Sequence, residues 1–338
     1  MRPTSTELAL IDRWQHGFPL VEQPFAVVGR SAALDEQETI RVFQRMQEHD
    51  VISRIGAVVR PNTVGASTLA ALQVPLDRLE QVAGIVSREP LVTHNYEREH
   101  LLNLWFVMAG ADAQAIAATI RSIEAQTGLS VIDLPMLRAY HLGLGFSLSE
   151  PCAKERRAPN LAAPRSLAAP SFAADYRPNL HDRSILAAIE NGLPLVEQPY
   201  RAVADQLNLD QGEVIGRLEQ LVAAGVVTRF GCVVRHAKLG FNANAMAVWD
   251  VPEDMIEAVA ATFARYPKVT LCYQRPRRLP LWPYNLFCMV HARSRRESHA
   301  AIDELNRLAD TGLYDQAVLF STRCFKQRGA VFSRSGTN

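Results

Sequence analysis

Two short stretches of this 338-residue chain concentrate the residue types that move protons and hold anions. The first, "HNYEREH", supplies His94, Tyr96, Arg98 and His100. The second, "YQRPRRLPLWPYN", supplies Tyr273, Arg275, Arg277, Arg278, Trp282 and Tyr284. Imidazole titrates near neutral pH, so a histidine in reach of a substrate can give or take a proton. His94 and Tyr96 alternate along an expected strand and should share a face. Guanidinium groups grip carboxylates through two-pronged, charge-assisted contacts. Three arginines so close together repel unless an anion sits among them. Pro276, Pro280 and Pro283 stiffen the second stretch, and Trp282 and Tyr284 offer flat apolar faces. Such a set fits a large, flat ligand rich in carboxylates. A solvated basic loop, or one stacking on nucleic-acid bases, is the alternative that composition leaves open. His141, Lys326 and Arg328 extend the candidate set near the ends of "AYHLGLGF" and "CFKQRGAVF". Trp105 and Phe106 read as sheet core.

These stretches belong to two copies of one unit. "GFPLVEQPF" (Gly17–Phe25) returns as "GLPLVEQPY" (Gly192–Tyr200), and "SRIGAVVRP" (Ser53–Pro61) as "TRFGCVVRH" (Thr228–His236). "EPLVTHNYER" then answers "YPKVTLCYQR", and "NLWFVMAGA" answers "NLFCMVHAR". Both copies keep Tyr-x-Arg, at Tyr96/Arg98 and Tyr273/Arg275. His94, His100 and His141 have no partner in copy two. The insertion carrying Arg277, Arg278, Trp282 and Tyr284 has none in copy one. The repeat is domain-sized, far longer than a solenoid period, and indicates a duplicated or fused pair of homologous subunits.

Each copy opens with helical spacing. Leu8, Ile11 and Trp14 recur on one face, Pro24 starts a second helix, and Asp35 with Glu38 marks the start of a third running to about His49. In copy two the expected helices are Ser184–Glu190, Pro199–Leu207 and Asp210–Ala224. A strand follows in each, "VISRIGAVVR" and Val226–Arg235, which makes a winged helix-turn-helix. The rest of copy one reads as strand Ser67–Val74, helix Leu76–Ser87, strand Leu91–Tyr96, strand Leu101–Met108, helix Asp112–Thr127 and strand Val131–Arg138. That is the β-α-β-β-α-β order of a ferredoxin-like domain. The fold class is α+β, as a tandem repeat: winged helix-turn-helix domains over 1–62 and 183–237, ferredoxin-like domains over 63–146 and 238–338, and an Ala/Pro-rich linker over 147–182. The order resembles the Lrp/AsnC regulators in both halves.

Composition narrows the function. Net charge is +1 and 48% of residues are hydrophobic, so neither a globally basic nucleic-acid binder nor a disordered chain is indicated. The first turns of the candidate recognition helices carry Asp35, Glu36 and Glu38, or Asp210 and Glu213, which repel phosphates. DNA binding is therefore unexpected. Five scattered cysteines without a CxxC pair indicate a reducing compartment and no zinc site. The N-terminus lacks an apolar signal and no apolar run could span a bilayer, so a cytoplasmic location is expected.

"HNYEREHLLNLWF", "YHLGLGF", "RPRRLPLWPYN", "WPYNLFCMVH" and "FKQRG" are similar to motifs of the siroheme decarboxylases, Lrp-like enzymes of heme d1 and alternative heme biosynthesis. Copy one resembles the D-type subunit and copy two the L-type, so the chain looks like a D–L fusion. The resemblance spans nearly everything but the linker. It implies non-oxidative decarboxylation of two acetate side chains of siroheme to 12,18-didecarboxysiroheme, with no cofactor beyond the iron tetrapyrrole itself. It implies further that Arg98, Arg275, Arg277 and Arg278, with Lys326 and Arg328, hold carboxylates that do not react. His94 or His100 would deliver the proton, with Tyr96 and Tyr273 second in line. His94 is also the candidate ligand of the siroheme iron, and His141 competes for either role. Expected partners are siroheme, the other half of the chain in a pseudo-dimer, a second copy of the chain, and related decarboxylase subunits.

Overall fold

The computed structural model of the chain describes residues 3–143, 176–241 and 243–329. Most of the expected linker lies outside the described residues. Copy one runs α1 (Ser5–Trp14), α2 (Pro24–Arg30), α3 (Glu36–Glu48), β1 (Ile52–Val59), β2 (Ala66–Leu72), α4 (Leu79–Arg88), β3 (Val92–Arg98), β4 (Leu104–Gly110), α5 (Ala113–Thr127), β5 (Ile132–Pro135) and β6 (Arg138–Leu142). Copy two runs α6 (Leu180–Ala188), α7 (Pro199–Leu207), α8 (Gln211–Ala223), β7 (Val227–Val234), β8 (Ala243–Trp249), α9 (Ile256–Ala264), β9 (Val269–Gln274), β10 (Leu286–Ala292), α10 (Arg295–Ala309) and β11 (Gln316–Gln327). Local signals explain most starts. The Asp35 carboxylate accepts the Glu38 N–H at 2.6 Å, and Glu38 returns a bond to the Asp35 N–H at 3.0 Å, closing a capping box. Asn179 and Asp182 close the same box on α6, so that helix begins at Leu180, earlier than the expected Ser184.

The chain forms two compact units, and each takes segments from both copies. The first holds the helix-turn-helix segments. Its strands β1 and β7 pair antiparallel with Gly56 opposite Gly231, so each wing strand is completed by the other copy. The repeated "PLVEQP" entry makes reciprocal bonds here: Phe18 N–H donates to Phe230 O at 3.0 Å, and Leu193 N–H to Ile55 O at 2.8 Å. Gly192 has φ +113°, and a Cβ there would stand 2.7 Å from the Arg54 Cβ, so only glycine fits. Phe18, Phe25, Phe43, Tyr200, Leu218 and Phe230 share one apolar core.

The second unit is a nine-stranded sheet in the order β5-β2-β4-β3-β11-β8-β10-β9-β6. The halves thus pair through their β-rich domains within one sheet. Here the structure differs from the expected single last strand of copy one. Pro135 ends β5, which pairs with β2, and the chain resumes as β6 on β9 of copy two. Copy two answers with β11: Gln316–Phe320 pairs with its own β8, and the rest pairs with β3 of copy one. Each copy therefore lends its last segment to the other, which covers the backbone edges that β3 and β9 would otherwise expose. On one face, α4 and α5 pack over copy one and α9 and α10 over copy two. The opposite face carries a cluster drawn from both copies: Leu69, Trp105, Met246, Tyr273, Trp282 and Phe287. None of the described helices is long and apolar enough to cross a membrane.

Candidate active site

A bulge between Val92 and His94 interrupts the alternation of β3, and the residues from His94 onward alternate regularly. Val92 and Asn95 turn toward α4, where the Asn95 amide donates to Ala83 O at 3.1 Å. His94 and Tyr96 therefore project from the other face, and their rings stack at 6.2 Å. His94 Nδ1 lies 2.9 Å from Thr93 Oγ1, whose hydroxyl donates to Val107 O at 3.2 Å. A hydroxyl has one proton. Once that proton is on the carbonyl, the oxygen accepts from Nδ1–H, and chemistry at His94 runs through Nε2.

The Tyr-x-Arg pairs are built alike in the two copies. Arg98 N–H donates to Asn103 O at 2.8 Å, and Arg275 N–H to Asn285 O at 2.9 Å. Asn103 and Asn285 in turn exchange two bonds each with the main chain of Val74 and Val251, fixing the strand ends. Arg98 is only 7% exposed and Arg275 only 8%. Each guanidinium donates one bond to a carbonyl of the other copy, Arg98 to Leu319 O at 2.9 Å and Arg275 to Leu134 O. Each lies over its tyrosine ring, at 5.8 Å for Arg98 on Tyr96 and 4.5 Å for Arg275 on Tyr273. Neither forms an ion pair among the described residues, and the Nε–H of each lacks an acceptor there. Burial pushes the Arg98 guanidinium down to about 10, with Tyr273 and Tyr96 acting against it, and lowers Arg275 as well. Two buried cations without an ion-pair contact, with only the Asp133 charge acting on Arg275, are costly unless a ligand supplies an anion.

The insertion folds back on itself. Arg278 and Trp282 exchange main-chain bonds of 2.7 and 2.8 Å, which turns Trp282 inward to 0% exposure. Its ring meets His100 at 5.5 Å, Trp105 at 4.9 Å and Tyr284 at 4.9 Å. The faces expected to lie open to a ligand are thus covered by other rings. What remains is the buried indole N–H, which has no acceptor among the described residues. His100 Nδ1 accepts the Leu102 N–H at 3.0 Å, so the ring also ties its own turn. Arg277 is held by the chain's own carboxylates, Asp250 and Glu253, and by Val251 O at 2.7 Å. Arg278 is exposed and donates to Asp133 O at 2.8 Å. Lys326 ends on Ser87 O at 2.6 Å and Glu89 O at 3.1 Å, and Arg328 on Pro90 O, at the C-terminal end of α4. There both cations complement the helix dipole. His141 sits on β6 opposite Cys272, with its ring folded over Gly143. The structure thus gathers His94, Tyr96, Arg98, Tyr273, Arg275 and, around Trp282, His100 and Tyr284. The other four cations have acceptors within the protein.

One residue escaped sequence reasoning. His291 on β10 is 8% exposed, and its Nδ1 lies 3.0 Å from Thr270 Oγ1. Its counterpart in copy one is Ala109, so divergence marks it no more than the other unmatched residues. The signal was Thr270 itself, which stands where copy one has Thr93.

Two expected results follow from this geometry. Replacing Arg277 with Ala should lower stability by about 1–2 kcal/mol, as its partly exposed ion pairs are lost. Binding of a carboxylate-rich ligand should change less than about twofold, since a charge already neutralised adds little. Denaturant melts beside ligand titrations check both. Second, burial holds His100 and His141 below the ordinary histidine value of 6.5. The unfolded chain regains that value and binds more protons, so their contribution is full above about 6.5 and is lost as pH falls toward the depressed folded values. The urea midpoint should decline over that range, and a His100→Gln/His141→Gln double variant should show a shallower decline. An unchanged slope in the double variant would assign the titration to other groups.

Comparison with known proteins agrees with this architecture. The family model for the siroheme decarboxylase NirDL-like HTH domain matches residues 7–52 and 182–227. That for the AsnC-like ligand binding domain matches residues 64–141 and 238–326. The siroheme decarboxylase NirDL subunit of Paracoccus denitrificans is 42% identical over 97% of both chains. The crystal structure of the siroheme decarboxylase NirDL superposes with a TM-score of 0.67 at 27% identity, covering 97% of this chain and 94% of that one. Its co-complex with an iron-uroporphyrin III analogue gives 0.66 at 28% identity and the same coverage. The chain, duplicated from end to end, belongs to the siroheme decarboxylase family.

Proposed function

We infer that this chain is a siroheme decarboxylase, a carboxy-lyase that removes the carboxyl groups of two acetate side chains to give 12,18-didecarboxysiroheme. One observation carries the reading: two buried guanidiniums, Arg98 and Arg275, project with His94 and the tyrosines from the same site and form no ion pair among the described residues. Siroheme brings eight carboxylates on a flat frame (an order-of-magnitude match of about four per copy to a charge-assisted pocket). Arg98 and Arg275 hold carboxylates that stay, because stabilising the one that leaves would raise the barrier. The Trp282 N–H adds a neutral donor.

The chemistry needs few groups. The C–C bond of the acetate breaks, CO2 departs, and the electron pair stays on the carbon next to the macrocycle, which delocalises it. Protonated His94 then gives its Nε2 proton to that carbon and becomes neutral imidazole. The balance is one carboxylate and one proton in, one methyl group and CO2 out. No cofactor beyond the substrate takes part, and the reaction runs in the cytoplasm. The acidic first turn of α3, with Gln37 tied to Glu197 at 2.5 Å, gives no support to operator binding. The test is anaerobic incubation with siroheme and mass analysis of the porphyrinoid. A product lighter by two CO2 is expected. Unchanged siroheme, with salt-sensitive binding to one DNA sequence, would overturn the reading.

A further inference from the structure

Imidazole is kept in both copies, although from different strands. Copy two has Leu271 where copy one has His94. Its histidine comes instead from β10: His291 Nδ1 approaches Thr270 Oγ1 at 3.0 Å, and the Thr270 hydroxyl donates to Met289 O at 3.2 Å. This repeats His94, Thr93 and Val107, at 2.9 and 3.2 Å, with Thr270 and Met289 standing in for Thr93 and Val107. The same proton count fixes the same tautomer, so His291 also works through Nε2. It alternates along β10 with Phe287 and Met289, whose side chains join the cluster shared by the copies. Copy two also repeats the phenol and the buried guanidinium, as Tyr273 and Arg275. Each copy thus holds one imidazole fixed by a threonine, one tyrosine and one buried arginine reaching a carbonyl of the other copy.

We propose that His291 is a second proton donor, serving the acetate held on the copy-two side as His94 serves the one on the copy-one side. This rests on the siroheme reading above. At each acetate the C–C bond breaks, CO2 leaves with no change of oxidation state outside the substrate, and Nε2–H of the facing imidazolium supplies the proton that completes the methyl group. Two acetates consume two protons, one from each histidine, and both rings are reprotonated from solvent.

The experiment is an anaerobic single-turnover time course with siroheme, read by mass, on the unmodified protein, His291→Gln and Thr270→Val. The unmodified protein should reach the species lighter by two CO2. His291→Gln should accumulate the species lighter by one CO2, with the remaining loss slowed about 100-fold or more. Thr270→Val keeps the shape of a buried residue and loses only the hydroxyl that orients the ring. It should slow the same step about tenfold and shift its pH profile. Both losses at unmodified rates in folded His291→Gln would overturn the proposal, as would equal slowing of both losses. If His291→Gln does not fold, Thr270→Val decides alone: unaltered rates and pH profile would reject the assignment. If the unmodified protein releases no CO2, the siroheme reading itself fails and this proposal falls with it.

Discussion

His94→Ala should bind siroheme with nearly unaltered affinity and lose about 10²–10⁴-fold in the rate of CO2 release, the span of a general acid. The ring is half-buried beside Tyr96, and its Nδ1 is committed to Thr93. Removing it deletes Nε2 from the site and leaves the guanidinium groups where they are. His100 is a poor substitute. Burial lowers its basicity, and its Nδ1 already accepts the Leu102 N–H, so the imidazolium form needed for donation is disfavoured. His94 has a second candidate role, since a neutral imidazole with its proton on Nδ1 presents a lone pair suited to iron. The two roles separate in one variant. Loss of an iron ligand changes the visible spectrum of the bound complex and weakens binding. Loss of a proton donor changes the rate alone. If spectrum, affinity and rate all match the unmodified protein, His94 is structural and the reaction takes its proton elsewhere.

Much of this was legible one strand at a time. The Asp35/Glu38 box, the proline-initiated α2 and α7 and the Tyr-x-Arg pairs are local, and local signals survive in sequence. What was not legible depends on long-range pairing. Alternation along "VIDLPMLRAYHL" reads the same whether its end pairs with its own copy or crosses to β9, so the exchange of last strands was hidden. Arg277 reads as a cation in search of an anion until Asp250 and Glu253 fold beside it. Trp282 reads as an exposed ring until the Arg278–Trp282 bridge turns it inward. Divergence between the copies located His94. It marks His291, against Ala109, in the same way, but the approach of that imidazole to Thr270 crosses from the neighbouring strand and was not legible.

Arg98→Met and Arg275→Met should each weaken siroheme binding about 10- to 100-fold, while leaving the melting temperature unchanged or higher. The two halves of that expectation have one cause. In the absence of ligand, each guanidinium is buried with one carbonyl, aromatic faces and an unpartnered Nε–H, and only Arg275 feels a nearby carboxylate, Asp133, so the folded protein bears desolvation that is incompletely offset. Replacing such a buried charge with an apolar side chain of similar length is often neutral or stabilising. When a carboxylate arrives, the same burial strengthens the contact, worth about 1.5–3 kcal/mol for a charge-assisted hydrogen bond. Lysine should not rescue either site. A single ammonium cannot reach the carbonyl of the other copy and present a second, parallel donor to a carboxylate, as a guanidinium can. Absorbance titration with siroheme beside thermal melts of the same variants checks both halves. Unchanged affinity with a fall in melting temperature would reverse the assignment, making Arg98 and Arg275 pins that fasten each copy to the carbonyls of Leu319 and Leu134.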